Sequence, residues 1–379
     1  MNKSWRILPV VILLAACGSD PAGPTTSSRT RTDPSALFAG GVPAYAKDLD
    51  GIAQSRLLML RAIRRVDPCA LAPKDELGAA QPPLVGAEPS DALASCALSF
   101  ADDGPGERVT VSLVPDADRS AGEEYFQIHG LTVYQGRSGD SATCSFFFDS
   151  GLAKYPGAPR DIPDAKIQVR AERHDHPCGL ANSVATAIAQ TKPASLPVRA
   201  ASAKILDADP CAVVADAHKA VVDFADTEAY RCGLVTLPEE RSLWVEFHRL
   251  PENAVSKFPA STQGDAQVWA DPAALPLAQL IAASQPSPTR PKASGAVSKR
   301  APAPTSSSAK AKSSSGPRCT AYVKAPDAGA SPAPSSPAAS AAATARNAEQ
   351  PVYIVVGGQI DCPEAKRLAG DAAQRLGIS

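Results

Sequence analysis

The sequence predicts an α+β protein of two similar modules, each an antiparallel sheet flanked by N- and C-terminal helices and stapled by two disulfides. Three observations predict it. Asp67-Pro68-Cys69-Ala70 recurs as Asp209-Pro210-Cys211-Ala212. Eight cysteines fall into two sets of four, Cys69, Cys96, Cys144, Cys178 and then Cys211, Cys232, Cys319, Cys362. Within each set, runs alternating apolar with polar residues follow one another and are bounded by stretches of helical periodicity. Strands grouped between helices, rather than interleaved with them, indicate α+β.

Bulk properties set the frame. A chain of 379 residues exceeds one ordinary core and suits two domains plus linkers. Hydrophobic content of 44% is enough to bury such cores, while 25 glycines and 36 prolines assign much of the chain to turns and tethers. The formal charge of −1 argues against a protein built to neutralise nucleic-acid phosphates, so no nucleic-acid partner is expected.

Residues 1–16 read as an export signal. Lys3 and Arg6 precede a short apolar run, Ile7 to Leu14, which is too short to span a bilayer as a stable helix. Leu14-Ala15-Ala16-Cys17 resembles the bacterial lipoprotein lipobox, which implies cleavage before Cys17 and a lipid on its sulfur. The expected location is therefore the extracytoplasmic face of a cell membrane, anchored through that lipid. Residues 17–44, rich in Ser, Thr, Pro and Gly, read as a flexible tether.

The first module is placed at residues 45–195. Leu49, Ile52, Ala53, Leu57, Leu60 and Ile63 give Ala46 to Arg65 one apolar helical face, with Arg56, Arg61, Arg64 and Arg65 largely opposite. That face is expected to pack on the first module. Asp67-Pro68 is helix-start chemistry, since the carboxylate accepts an orphan N–H and proline has none to waste. A helix restarts at Pro73 and ends near Gly78. Strand-like runs follow at 96–100, 108–114, 131–134, 144–148 and 167–171, and Leu180, Ala181, Val184, Ala187 and Ile188 form the closing helix.

The second module, residues 200–379, repeats the order. After Asp209-Pro210, Val214, Ala217, Val221 and Val222 read as a buried helical face. Strands are expected at 232–237, 242–247, 266–269, 319–323 and 352–356. Asp361-Cys362-Pro363-Glu364 then has the form of a capping box, ahead of Ala365, Leu368, Ala369, Ala372 and Leu376 on one face. Two Pro-, Ser- and Ala-rich inserts, 284–317 and 326–348, have almost nothing to bury and are expected to be disordered.

The Asp-Pro-Cys-Ala motif, a cysteine opening the first strand, a third on a later strand and a fourth before an Ala-rich terminal helix resemble an actinobacterial lipoprotein family of unknown function, domain of unknown function 3558. The resemblance covers about residues 60–195 and again 200–379, so the unit is duplicated here. Ala97 and Gly233 stand where that family often has tryptophan. The resemblance implies architecture and location and no chemistry.

Eight cysteines allow 105 pairings, and two independent modules allow three each. We take Cys69–Cys96, Cys144–Cys178, Cys211–Cys232 and Cys319–Cys362, because each then ties a helix start to a strand of its own module. No two cysteines stand at CxxC spacing, which argues against zinc.

Motifs that carry chemistry elsewhere have plainer readings here. His174-Asp175-His176 has two imidazoles but runs into a helix start, and reads as a polar loop. Gly139-Asp140-Ser141 lacks the flanking glycines of a nucleophile elbow and reads as a hairpin turn. Gly357-Gly358 lacks phosphate-loop spacing and reads as a bulge or turn. Glu123-Glu124 and Glu239-Glu240 are adjacent pairs whose carboxylates point apart. Between Ser284 and Lys324 there are eight cations and no acid, so this segment suits an anionic envelope polymer or lipid, or serves as a solubilising spacer.

The functional expectation is a non-catalytic, lipid-anchored binding module for an envelope component, lipid or small ligand, without cofactor or metal. A structural adaptor docking another envelope protein is the alternative, and an envelope hydrolase has the least support. Pockets favour domain interfaces, so a ligand cleft is expected at the seam between the modules.

Overall fold

The computed structural model describes residues 34–101, 107–115, 124–137, 142–172, 176–191, 196–199, 204–212, 220–284, 318–325 and 350–377, which fall in one compact unit. Cys17, the Gly139-Asp140-Ser141 stretch and nearly all of both expected inserts lie outside the described residues.

The first half opens with α1 (Gly51–Arg65), a single 3-10 turn at Pro68–Leu71 and a short α2 (Lys74–Gly78). Seven strands follow: β1 (Leu84–Pro89), β2 (Ser95–Phe100), β3 (Arg108–Val114), β4 (Glu124–Ile128), β5 (Leu131–Arg137), β6 (Thr143–Asp149) and β7 (Lys166–Glu172). Helix α3 (Pro177–Gln190) closes it. After the four-residue α4 (Lys204–Asp207), the second half has β8 (Ala220–Glu228), β9 (Arg231–Thr236), β10 (Arg241–Arg249), α5 (Glu252–Val255), β11 (Ala260–Gln263), β12 (Ala266–Asp271), α6 (Leu277–Ser284), β13 (Cys319–Lys324), β14 (Val352–Gly358) and α7 (Cys362–Arg375).

Both sheets have the same topology. The first runs β1-β2-β3-β7-β6-β5-β4, and the second, read from its other edge, runs β8-β9-β10-β14-β13-β12-β11. Each is two three-stranded meanders with the last strand inserted between them, and every neighbour is antiparallel. The register matches as well. Cys96 faces Val111 where Cys232 faces Val245, and Cys144 faces Ala171 where Cys319 faces Gly358. The α+β class and the duplication are thus properties of the backbone.

Four disulfides join Cys69–Cys96, Cys144–Cys178, Cys211–Cys232 and Cys319–Cys362, two in each half. They close loops of 27, 34, 21 and 43 residues. In the chain-entropy account, loops of that length contribute about 3–4 kcal/mol each. The recurring aspartate acts alike in both copies: Asp67 and Asp209 each accept the N–H of the cysteine two residues on, at 3.0 Å. The first copy continues as a 3-10 turn and the second as a turn through Ala212, after which residues 213–219, with the expected Val214 and Ala217, lie outside the described residues.

Several expectations are corrected. Val221 and Val222 lie on β8, paired with Val235 and Leu234, and not on a helix. Two valines and Phe224 in quick succession suit a pleated surface better than a helical one. Helix α1 starts at Gly51, where Asp50 accepts the Ala53 N–H at 2.8 Å; Ala44–Ala46 is a separate 3-10 turn. The end of the expected tether is folded too, since Pro34–Phe38 is a 3-10 turn whose Leu37 and Phe38 join the core. Ile52, placed on the apolar face, is 55% exposed, whereas Arg64, placed outside, is 3% exposed. Gly357-Gly358 is not a turn but the end of β14, paired with Trp244 and Leu243. A Cβ on Gly357 would stand 2.6 Å from Trp244 Cζ2, and Gly358 has φ +147°, so both positions need glycine.

Arg64 is buried because α1 lies between the halves rather than on the first alone. Its guanidinium donates to the Ala229 carbonyl at 2.8 Å and lies 3.8 Å from Asp209. Tyr45 donates to that same carboxylate at 2.8 Å, and burial first, then the Asp209 charge, raises the tyrosine pKa. The Tyr230 hydroxyl lies 3.1 Å from the carbonyls of both Arg64 and Leu206, and burial raises its pKa too. Backbone bridges add to the junction at Val66–Val198 and Ala92–His248. Arg199 donates to the carbonyls of Val66 and Leu93. One apolar cluster runs from the first sheet through α1 to the second.

The outer faces of the two sheets differ. On the second sheet, Trp244, Trp269, Tyr322, Tyr353 and Val355 form an apolar layer under α5, α6 and Phe258, whose ring stacks on Tyr322 at 5.7 Å. At the matching positions of the first sheet stand Thr110, Tyr134, Phe147, Lys166 and Gln168. A sheet wetted on one face needs such polar residues, and one covered on both does not.

Candidate functional site

The closing helices set the site. Aligned at Cys178 and Cys362, α3 and α7 carry their buried residues in step: Ala181 with Ala365, Val184 with Leu368, Ala185 with Ala369, Ala189 with Ala373. Two of the differences between them bear on how the helix seats. Thr186 stands where α7 has Gly370, and Ile188 where it has Ala372.

Those two differences go with a different seat on the sheet. Helix α3 packs on β6 and β7, while α7 spreads over β12, β13 and β14 and touches β11. Gly370 permits the closer approach, since a Cβ there would stand 2.7 Å from Gln263 Cβ on β11. In the first half, with Thr186 and Ile188, the helix leaves space beside the start of β5.

That space is a pocket of about 230 Å3. Its apolar walls are Leu71, Leu131, Phe148, Ile167, Ile188 and Leu196, and its rim is Asp149, Ser150, Gly151, Lys154 and Tyr155. The β4–β5 hairpin stands beside it. His129 and Gly130, with φ 47° and 76°, make the two-residue turn, which suits the twist of the flanking strands. The Gln190 side-chain nitrogen lies 2.8 Å from His129 Nε2, tying the hairpin tip to the last turn of α3.

Rim electrostatics follow from which charges are already engaged. Asp149 pairs with the buried Lys166 at 2.5 Å. Asp164 accepts from Ser150 Oγ at 3.2 Å, Gly151 N at 2.7 Å and Ala153 N at 3.0 Å, which fixes the 150–155 loop. The Tyr155 oxygen accepts the Leu196 N–H at 2.5 Å, so its own proton is left to donate elsewhere. Lys154 is exposed and its ammonium has no partner among the described residues. The arrangement offers two donors, one of them charged, above an apolar recess. That is a binding chemistry, orienting a polar end and burying an apolar one.

Sequence reasoning located none of these pocket residues. The signal available was the pair of departures, Thr186 and Ile188 against Gly370 and Ala372, beside the matching buried positions Ala181, Val184, Ala185 and Ala189 against Ala365, Leu368, Ala369 and Ala373. The seam, the expected place for a cleft, is filled by Arg64, Tyr230 and Arg199. Each of the eight disulfide cysteines is paired. His174 and Asp175 lie outside the described residues, while His176 is exposed just before α3. Among the described residues no group of three His, Cys, Asp or Glu side chains is placed to hold a metal, and no helix is long and apolar enough to cross a membrane. Glu123 lies outside the described residues; Glu239 and Glu240 sit in the β9–β10 turn, with Glu239 4.0 Å from Arg241. Of the cationic segment, Arg318 and Lys324 are described, and Lys324 pairs with Glu252 at 3.3 Å.

Comparison with known proteins finds no matching family model, no matching curated protein and no matching solved structure, so the family resemblance rests on the motifs quoted for it.

Proposed function

We propose that this chain is a non-catalytic binding module, held on the outer face of a membrane by lipid on Cys17, whose first half takes a small ligand from the cell envelope. The observation that carries the reading is the asymmetry of the duplication. The second half is closed where α7 meets β11, and the first half keeps a pocket at the corresponding place. Two stapled halves joined through α1 hold that pocket on a rigid frame, and a preorganised site loses less entropy on binding. The membrane anchor rests on the Leu14-Ala15-Ala16-Cys17 lipobox.

Native mass spectrometry of the mature protein purified from its own envelope tests this. The expected result is a one-to-one small-molecule adduct that disappears when Ile188→Trp fills the pocket. Co-purification of a protein with no small-molecule adduct favours the adaptor reading instead. One observation speaks for that alternative: Tyr125 on the edge strand β4 is 56% exposed beside Tyr134, at 4.9 Å between ring centroids.

A further inference from the structure

We infer that the ligand of this pocket is a small monoanionic amphiphile, its apolar body in the recess and its anionic head on Lys154 and Tyr155. The inference rests on the pocket being a ligand site and adds what the ligand is. Size sets the body. A cavity of ~150 Å3 lined by Leu, Ile and Phe accepts benzene. By the same measure this recess of about 230 Å3 takes about nine carbons. Long acyl chains overfill it. The walls set its character, since every side chain below the rim is aliphatic or phenylalanine.

Charge sets the head. Of the ionised groups around the mouth, Asp149 is neutralised by Lys166 at 2.5 Å and Asp164 is held by three loop donors. Lys154 remains, exposed and without a partner among the described residues, one residue from a tyrosine hydroxyl whose oxygen is already an acceptor. An ammonium and an O–H are both donors, so they suit a carboxylate or phosphate oxygen and do not suit an amine. The second half sharpens the contrast: Ala372 replaces Ile188, the start of β12 replaces Leu131 by Ala266, and α7 covers the place.

The test uses the full secreted chain carrying Cys17→Ser, so that no lipid or detergent competes, with octanoate, octyl phosphate, octanol, octylamine and hexadecanoate as probes in titration calorimetry. Expected is one-to-one binding of octanoate or octyl phosphate, tighter than octanol, with no binding of octylamine or hexadecanoate. The ratio between the two anions identifies the head group. Lys154→Met, an exposed substitution that keeps length, weakens the anion by about tenfold, the lower end for a hydrogen bond to a charged group. Ile188→Trp abolishes it, with intact disulfides and near-ultraviolet dichroism confirming the fold. Octanol binding as well as octanoate, with no effect of Lys154→Met, overturns the anionic assignment while leaving the pocket as a ligand site. Failure of every eight-carbon probe to bind overturns both.

Discussion

Gly370→Ala separates two opposite expectations. In an ordinary helix interior, replacing glycine by alanine stabilises by about 1 kcal/mol, because alanine loses less backbone freedom. Here the added Cβ would stand 2.7 Å from Gln263 Cβ and 3.7 Å from the Gln263 carbonyl oxygen. Ordinary carbon–carbon contact is about 3.5–4.0 Å, so something must give by roughly 1 Å. Gln263 Cβ is the root of a side chain and cannot swing away, so α7 or β11 moves and overpacking costs about 1–3 kcal/mol. The net is a loss of about 0–2 kcal/mol where propensity alone predicts a gain. Denaturant unfolding with disulfides intact measures it, and Gln263→Gly in the same chain should restore the gain. Stabilisation by about 1 kcal/mol in Gly370→Ala alone would refute the close seating of α7 on β11, and with it the contrast between the seats of the two closing helices.

Other outcomes follow from the same structure. Arg64→Met should destabilise by about 2–4 kcal/mol in denaturant unfolding, because a buried guanidinium bonded to Ala229 and beside Asp209 is lost; a change within about 0.5 kcal/mol would place α1 elsewhere. Joint replacement of Cys319 and Cys362 by alanine should lower stability by about 3–4 kcal/mol, the entropy of their 43-residue loop, and a negligible loss would contradict that bond. Tyr353, under α5, has its pKa pushed up from 10.0 to about 12, by burial first and the Glu252 charge second. The folded state therefore holds that proton more tightly than the unfolded one. Its contribution, at most about 3 kcal/mol, is fully present below pH 10 and lost as pH rises through about 12. Phenolate absorbance followed with stability should show that loss, and Tyr353→Phe should remove its share of it.

The strands foreseen and the strands overlooked divide by position in the sheet. Those foreseen are interior, four of them with a cysteine at or beside their start and others with clean alternation, as in Arg108–Val114, where Val109, Val111 and Leu113 are buried. Those overlooked, β1, β4, β8 and β11, are the four edges. An edge strand pairs on one side and meets water on the other, so it carries Gly86, Pro89, Asp223 and Asp226 and its alternation is diluted. Periodicity also misplaced Arg64, because it reports which face of α1 is apolar and not that a second module covers the other face. The disulfide arrangement was legible because a repeated motif reduces the choices. The pocket was not, because it arises from where α3 rests, and only a comparison of the two closing helices encodes that. Asp67 caps a four-residue 3-10 turn rather than beginning a long helix, a difference Asp-Pro-Cys alone could not reveal.

Methyl-group NMR of the full chain titrated with octanoate tests the central claim most directly. The account predicts shift changes at Leu131, Ile167, Ile188 and Leu196, saturating at one equivalent, with Leu368, Ala369 and Ala372 of α7 unmoved. Changes distributed over the α7 methyls, or equal in the two halves, would contradict it: the duplication would then hold no privileged site.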